Sequence, residues 1–337
     1  MTDHTTLARS EPAETTEPTS TWRLLIDRIG AQNLSLLAAL AILIAIFGTA
    51  QSEIFFLPRN LTNILNAVAI LGLVASAQTI VIISGGIDVS VGSNVGMSAV
   101  TAALAMLAVD QAGVGIVAAL VVGTLGGLVN GLLVTKGRVN AIIATLATMA
   151  IFQGIAFIVT NGRGIGVINS SFNWIGSGRV VGIPISVLVF LGVALLLMVF
   201  MRATDIGRNI YAIGGNPSAA KLVGIDVEKY RIGVFVLSGF VCGIAAVLLT
   251  ARATSGQPSS GSGGLELEAI TAAFLGGCAM SGGKGTIVGT ILGVLIIGTL
   301  NNGMILMQVP TFYQLVAKGV LLLGAVMLME FRTAKRD

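Results

Sequence analysis

Two apolar runs, LNAVAILGLVASAQTIVII (residues 65–83) and SVGSNVGMSAVTAALAMLAV (residues 90–109), flank a short glycine-rich break. Each run has about the 20 residues that an α-helix needs to cross the hydrocarbon core of a bilayer. Neither run contains a charged residue. The pair therefore predicts two consecutive membrane-spanning helices joined at the break, and further runs of the same character follow along the chain.

The composition of the whole chain agrees with this prediction. Hydrophobic residues make up 55% and charged residues 10% of the 337 positions, whereas soluble domains carry about 25% charged residues. Glycine occurs 44 times, and glycine allows membrane helices to approach one another closely. We expect an all-α, polytopic membrane protein with about ten transmembrane helices, near residues 33–50, 65–83, 90–109, 113–134, 140–160, 184–201, 232–250, 266–280, 286–306 and 314–330.

The rarer residue types exclude several functions. His4 is the only histidine and Cys242 and Cys278 are the only cysteines, which leaves neither a metal-ligand spacing nor a disulfide framework. The stretch GGCAMSGGKGT (residues 276–286) looks like a phosphate-binding P-loop, but Gly285 stands where a Ser or Thr must reach Mg²⁺. We therefore expect no enzyme and no cofactor in this chain. Any ATP and Mg²⁺ would be bound by a partner.

The basic residues predict the orientation of the chain. With the N-terminus inside, external segments hold only four of them, and almost all the others are cytoplasmic, as the positive-inside rule requires. This distribution explains the net charge of +4 without a nucleic-acid partner. Residues 1–21, rich in Thr, Glu, Pro and Ser, predict a disordered cytoplasmic tail, and residues 22–337 the transmembrane domain with its C-terminus also inside. The external basic residues are Arg59, Arg163, Arg179 and Arg252.

Glycine-rich segments suggest internal symmetry and close packing. The breaks SGGIDVSVG (residues 84–92) and SGGKGTIVG (residues 281–289) share their Ser-Gly-Gly and Val-Gly spacing, as an internal repeat of the kind found in many transporters would. Glycine also recurs every four residues, which places it on one helix face. Such a face either packs against a neighbouring helix or forms a surface on which helices slide. The two sets are Gly123, Gly127 and Gly131, and Gly285, Gly289 and Gly293.

Few acids are expected inside the spans, which disfavours proton or sodium coupling. Asp88, in the first break, is the strongest candidate for a functional acid, and the alternative is that it caps the helix starting near Ser90. No paired charge that would suit an amino-acid substrate is expected within the path.

The polar residues inside the spans are mostly neutral amides. Amides both donate and accept, which suits an uncharged substrate with hydroxyl groups. The alternative is that they hydrogen-bond one helix to another. On the first interpretation, the translocation path is lined by Asn66, Gln78, Asp88, Asn94, Asn130, Gln153, Asn301 and Asn302.

The longest basic cytoplasmic loop, residues 202–231, is predicted to contain a short helix. Asn216 is a typical N-cap residue, Pro217 suits the first turn and Gly224 suits the helix end. A helix displayed in this way either docks a partner or lies on the membrane surface.

Within this loop, Ala219-Ala220-x-x-x-Gly224 resembles the segment by which permeases of ATP-binding-cassette importers engage their ATPase, although Ser218 stands where Glu is frequent. Longer stretches are similar, in the same order along the chain, to the ribose-type sugar permease family. They are SGGIDVSVGS (84–93), GRNIYAIGGNPSAAKLVGI (207–225), QPSSGSGGLELEAITAAFLGG (257–277), SGGKGTIVGT (281–290) and LNNG (300–303).

The resemblance implies an importer permease for a ribose-like monosaccharide or a related polyol in the bacterial inner membrane. Asn216, Ser218, Ala219, Ala220 and Gly224 would form a coupling helix for a separate ATPase, commonly with two cassettes in one chain. An extracytoplasmic sugar-binding protein and a second permease copy or paralogue would complete the importer. The alternatives are a permease for nucleosides or branched-chain amino acids, and a secondary carrier that works alone.

Overall fold

The computed structural model describes residues 31–261 and 263–334. The predicted tail, residues 1–21, lies outside the described residues. The described part folds into fourteen helices and two pairs of very short strands. The helices are α1 (Ala31–Ala50), α2 (Ser52–Phe55), α3 (Pro58–Ile83), α4 (Val91–Val109), α5 (Ala112–Thr135), α6 (Ala141–Thr160), α7 (Ser170–Ser177), α8 (Ile185–Ala203), α9 (Asp205–Gly215), α10 (Pro217–Leu222), α11 (Val227–Ala253), α12 (Leu265–Leu275), α13 (Ile287–Leu306) and α14 (Thr311–Ala334).

Eight of the described helices, α1, α3–α6, α8, α11 and α13, are long and apolar enough to cross a membrane. They lie where the sequence predicts spans, so the all-α polytopic class is confirmed. Helix α12 is much shorter than the span expected over residues 266–280, and α14 contributes a shorter apolar stretch, Thr311–Met327. The expected count of ten spanning helices is therefore not confirmed.

The eighth predicted span is a half-length helix, and a segment made mostly of turns precedes it. At 1.5 Å per residue, α12 is about 16 Å long, roughly half of the hydrocarbon core. The segment before it runs along α4 so closely that a Cβ on Gly96 would lie 2.6 Å from the carbonyl oxygen of Ser260. Irregular backbone is tolerated at membrane depth only where protein surrounds it. The helix begins at Leu265, where the span was expected, but it ends at Leu275, five residues before the expected end, because Gly276 and Gly277 (φ +94°) follow it.

Helix α3 forms the centre of the bundle, where it packs against α8, α11, α12 and α13. Nearly every side chain from Val68 to Ile83 is buried, because this run is apolar on all its faces. Helices α1, α5, α6 and α8 instead expose large apolar side chains; Ile158 of α6 is 76% exposed and Leu196 of α8 is 70% exposed. Such an apolar outer surface suits contact with lipid.

The glycine ladder of α5 packs against α11, as one of the two interpretations predicted. A Cβ on Gly123 would lie 2.5 Å from the carbonyl oxygen of Gly239, and a Cβ on Gly131 would lie 3.0 Å from the Cα of Ile232. In the second set only Gly289 and Gly293 lie on α13, where they pack against the backbones of Gly276 and Ala272. Gly285 lies in the break before this helix, so the expectation of three glycines on one helix face was wrong there. Both ladders therefore bring two helix backbones together.

Two short antiparallel ladders lie at the end of the bundle opposite the loop of residues 202–231. Strand β1 (Ile165–Gly166) pairs with β4 (Ser255–Gly256), and β2 (Arg179–Val180) pairs with β3 (Ile183–Pro184). Phe172 of α7 is fully buried beneath them. These contacts tie the long connection between α6 and α8 to the segment that precedes α12.

Candidate functional site

The coupling loop, residues 202–231, folds into the helices α9 and α10. Thr204 caps α9 by accepting from the N–H of Gly207 (3.1 Å). Asn216 caps α10 by accepting from the N–H of Ala219 (3.0 Å), and Pro217 occupies the first turn. Gly224 follows with φ +85°, a left-handed conformation that glycine adopts at little cost. The structure thus has a short helix where the sequence predicts one.

The two alanines of the loop motif face in opposite directions. Ala220 is buried against Ile213 and Val227, which anchors α10 to α9 and to the start of α11. Ser218 and Ala219 point outward and are exposed.

Two large apolar residues at the end of α10 are also exposed. Leu222 is 89% exposed and its neighbour Val223 is 77% exposed. Sequence reasoning missed both. Leu222 and Val223 follow the buried Ala220 by two and three positions, and this spacing could have indicated that they point away from the buried face. The end of α10 therefore presents an apolar surface rimmed by the polar residues Ser218 and Lys221.

The coupling loop contacts both glycine-rich breaks. The backbone of Gly214, near the end of α9, touches the carbonyl oxygen of Ile83, and a Cβ on Gly214 would lie 2.5 Å from the nitrogen of Gly283. The N–H of Gly283 donates to the carbonyl of Ile83 (2.9 Å). Only backbone atoms meet at this point, which we name the glycine joint (Ile83–Gly86, Gly214–Gly215 and Gly282–Gly285).

One side chain reinforces the glycine joint. The hydroxyl of Tyr211 in α9 donates to the carbonyl of Gly285 (2.9 Å). Burial raises the pKa of this hydroxyl, so Tyr211 remains a neutral donor over the physiological pH range. The loop that the sequence assigns to a partner is therefore bonded directly to the break before α13.

Four of the predicted path residues lie together in a closed polar network. Asp88 Oδ1 accepts from the N–H of Ser90 (2.9 Å) and from the Ser90 hydroxyl (2.7 Å). Asn130 Nδ2 donates to Ser90 Oγ (2.7 Å), and Asn130 Oδ1 accepts from Thr148 (2.6 Å). Asn94 of α4 donates to the carbonyl of Gly123 (3.0 Å). Gln78, Asp88, Asn94 and Asn130 are all at most 2% exposed.

The network joins α3, the first break, α4, α5 and α6. The amide of Gln78, oriented so that both of its ends have partners, donates to the carbonyl of Asp88 (3.2 Å) and accepts from its N–H (3.1 Å). The Asp88 carboxylate bonds the N–H of Ser90, one residue before α4, so it fixes the approach to the helix. These contacts hold helices together, and a role of the four residues in the path stays a prediction.

The remaining predicted path residues are separate from this network. Asn66 accepts from Ser186 (2.5 Å), and Asn302 forms a reciprocal amide pair with Asn60 (2.8 and 3.1 Å). Gln153 on α6 is partly exposed.

Asn301 belongs to a charged cluster that sequence reasoning missed. Lys318 of α14 forms an ion pair with Glu268 of α12 (2.6 Å), and Asn301 Nδ2 donates to the same carboxylate oxygen (3.3 Å). The side-chain amide oxygen of Asn301, Oδ1, is buried and has no hydrogen-bond partner among the described residues. The cluster borders a cavity of about 120 Å³ that Gly264 and Thr271 also line.

This ion pair, which lies between α12 and α14, was not expected from the sequence. No contact among the described residues places the pair in the translocation path, so the expectation of a path without a paired charge stays a prediction. The sequence did place Lys318 inside the last apolar run, but it could not show which acid faces it, because the pair is 50 positions apart. The short length of α12 brings Glu268 opposite Lys318. An ion pair of this kind is expensive inside a membrane and is usually functional.

Comparison with known proteins gives a consistent result. The family model described as "Branched-chain amino acid transport system / permease component" matches residues 60–327. The ribose import permease protein of Bacillus subtilis is 43% identical over 83% of this chain and 87% of its own length. The D-allose transport system permease protein of Escherichia coli K12 is 39% identical over 86% of this chain and 89% of its own length. The L-arabinose ABC transporter permease protein of Azospirillum brasilense is 37% identical over 88% of this chain and 87% of its own length. No solved structure matches the chain.

Proposed function

The chain belongs to the family of transport-system permease components that this model describes, and from this premise we propose that it forms the translocation path of an ATP-binding-cassette importer for a neutral sugar. The observation that carries the proposal is the glycine joint, because it connects an exposed docking helix directly to the breaks between spanning helices. A stand-alone secondary carrier has no need for such a loop.

The proposed substrate is a ribose-like monosaccharide or a related polyol. The relatives named above are permeases for ribose, D-allose and L-arabinose, and each match covers most of both chains. The family description names branched-chain amino acids instead. The Glu268–Lys318 pair would offer a carboxylate to the ammonium group of an amino acid and an ammonium to its carboxylate. The sugar interpretation is favoured by the 37–43% identity to these sugar permeases, and nucleosides remain a further alternative.

The proposed assembly places this chain in a bacterial inner membrane with both termini in the cytoplasm. A separate ATPase, with two cassettes in one chain, binds the coupling loop and also binds ATP and Mg²⁺, so phosphoryl chemistry occurs outside the permease. An extracytoplasmic sugar-binding protein meets the opposite end of the bundle, where β1–β4 lie. A second permease copy or a paralogue completes the path.

The docking surface for the ATPase is the exposed side of α10, with Leu222 and Val223 at its centre and Asn216, Ser218 and Ala219 along it. Exposed apolar residues rimmed by polar ones are typical of protein interfaces. Ala220 contributes from beneath by anchoring the helix, and Gly224 by ending it. Movement of the ATPase would reach the spans through α9 and the glycine joint.

We expect Leu222→Glu to abolish co-purification of the ATPase and sugar uptake, because a carboxylate cannot be buried unpaired in an interface. Ile168→Glu is a matched control, since Ile168 is 98% exposed at the opposite end of the bundle. This control should retain the ATPase. A Leu222→Glu permease that still binds the ATPase and imports sugar would refute the docking assignment.

The substrate class is tested separately, in vesicles that contain the permease, its ATPase and its binding protein. We expect ATP-dependent uptake of labelled ribose, arabinose or allose, and none of leucine or adenosine. Uptake of leucine instead of any sugar would establish the amino-acid alternative and leave the coupling assignment intact.

A further inference from the structure

A second cavity lies at the end of the bundle that carries the coupling loop. Its volume is about 490 Å³, which falls within the range of small-molecule sites. It is formed by the first break (residues 84–87), the connection from α5 to α6, the start of α11, and Met280 of the second break. Elements from both halves of the bundle therefore meet around it.

The charge in this cavity is uncompensated. The side chains of Arg138 and Arg231 line it, and no carboxylate does. Within residues 31–261 and 263–334, the ion pairs are Lys136–Glu228, Arg208–Asp205 and Lys318–Glu268, so neither arginine has an acidic partner there. Arg231 is partly buried, and withdrawing an unpaired charge from water is costly. Two guanidiniums without an acidic partner therefore border this space, that of Arg231 partly buried and that of Arg138 exposed to solvent.

The remaining walls suit an anion that carries a larger body. The first turn of α6 borders the cavity, and Asn140 caps it by accepting from the N–H of Ile142 (3.0 Å). The remaining partial positive charge of this helix N-terminus favours an anion. Phe235 and Met280 supply apolar surface on the other side. A guanidinium binds a phosphate with two parallel hydrogen bonds, and two guanidiniums can hold one phosphate between them. The volume leaves space for the group to which the phosphate is esterified.

We propose that this cavity is a binding site for a phosphate ester, distinct from the sugar path. Its occupant lies between both breaks and Arg231 at the start of α11, and therefore holds that end of the bundle in one arrangement. The phosphate belongs either to a soluble sugar phosphate or to the headgroup of an anionic lipid. The two sources share the same arginine chemistry and differ in whether the ligand is in solution or in the bilayer.

The test uses the permease with its ATPase in lipid nanodiscs. In discs of phosphatidylcholine alone, binding of radiolabelled ribose 5-phosphate is measured by equilibrium dialysis. In discs that also contain phosphatidylglycerol, retained lipid is counted by native mass spectrometry. Arg231→Gln and Arg138→Gln are compared with Lys229→Gln, which removes the same charge from an exposed position of α11 outside the cavity.

We expect one of the two ligands to bind the wild type and Lys229→Gln equally, and to bind each arginine variant roughly tenfold more weakly. Binding of ribose 5-phosphate identifies a soluble phosphate ester as the ligand, and retention of phosphatidylglycerol identifies a lipid headgroup. Absence of binding in both arms, or equal binding by all four proteins, overturns the proposal. So does loss of the ATPase from the arginine variants without phosphate binding by the wild type, since the cavity would then be a protein interface.

Discussion

Asp88 and Glu268 are both carboxylates among spanning helices, yet their surroundings differ. Asp88 is enclosed by neutral donors from Ser90 and Asn130 and is 1% exposed. Glu268 pairs with Lys318 beside a cavity, and their side chains are 14% and 29% exposed. Both regions contain one amide oxygen that is unpaired among the described residues, Asn94 Oδ1 in the Asp88 network and Asn301 Oδ1 beside Glu268. They differ in access, because the Glu268–Lys318 pair borders a cavity whereas Asp88 is almost fully buried. The comparison indicates that access, and not an acid's depth or an unpaired neighbour, is the better guide to the path.

The largest expected effect comes from Asp88→Leu, which sharpens the structural side of the comparison. Two donors, the N–H and the hydroxyl of Ser90, would lose their acceptor, whereas Asn130 Nδ2 would keep its bond to Ser90 Oγ. At about 1–3 kcal/mol for each buried unsatisfied group, we expect a loss of about 4 kcal/mol in the free energy of unfolding, measured by SDS titration. Asp205→Leu, at an exposed site, should change little. Full stability of Asp88→Leu would contradict the closed-network interpretation.

An intermediate effect is expected at the Glu268–Lys318 pair. Glu268→Met and Lys318→Met each leave one charge unpaired, and we expect each to lose about 1–3 kcal/mol, less than a fully buried pair would because both side chains are partly exposed. The double variant Glu268→Met/Lys318→Met should regain stability, since it buries no lone charge.

Sugar uptake by the double variant separates the two roles of this pair. If the pair serves transport, uptake should remain low while stability returns. Uptake that recovers together with stability would make Glu268 structural, like Asp88, and the contrast between the two carboxylates would fail.

The smallest effect is expected at Lys136–Glu228, which gives a baseline for ion pairs outside the bundle. Lys136 Nζ and Glu228 Oε2 are 2.7 Å apart, but the side chain of Lys136 is 68% exposed and that of Glu228 is 43% exposed. Glu228 raises the pKa of Lys136 by hydrogen bonding and by its charge, although water and salt screen such pairs strongly. We expect Lys136→Met to leave the midpoint of thermal unfolding unchanged at physiological salt. A clear fall in that midpoint would show that exposure is a poor guide to the value of an ion pair here.

Much of the fold could be predicted from hydropathy and charge. Runs such as residues 90–109 are long and apolar, so their helices were located to within a residue or two, although α3 begins at Pro58, seven residues before the run predicted for it. The capped helix of the coupling loop was also predictable, because Asn216, Pro217 and Gly224 act locally. These predictions succeed where the physical cause lies within a few residues of its effect.

The rest depends on contacts between distant segments. The sequence did not show that the segment before Leu265 would pack against α4, because this contact joins two segments that lie far apart in the chain. The amides Gln78, Asn94 and Asn130 looked alike in sequence to Asn301, and their different exposure depends on which helices surround them. Lys318 was visible, but its partner was not.

The glycine joint has a mechanical consequence. Contacts between side chains can absorb a displacement by changing rotamer, whereas the contact of Gly214 with Ile83 and Gly283 joins backbones that have no such freedom. A displacement of α10 by about an ångström should therefore displace both breaks by almost the same distance. At Gly214 a single added methyl group would overlap the carbonyl oxygen of Ile83, and it would act as a wedge that uncouples the loop from the spans.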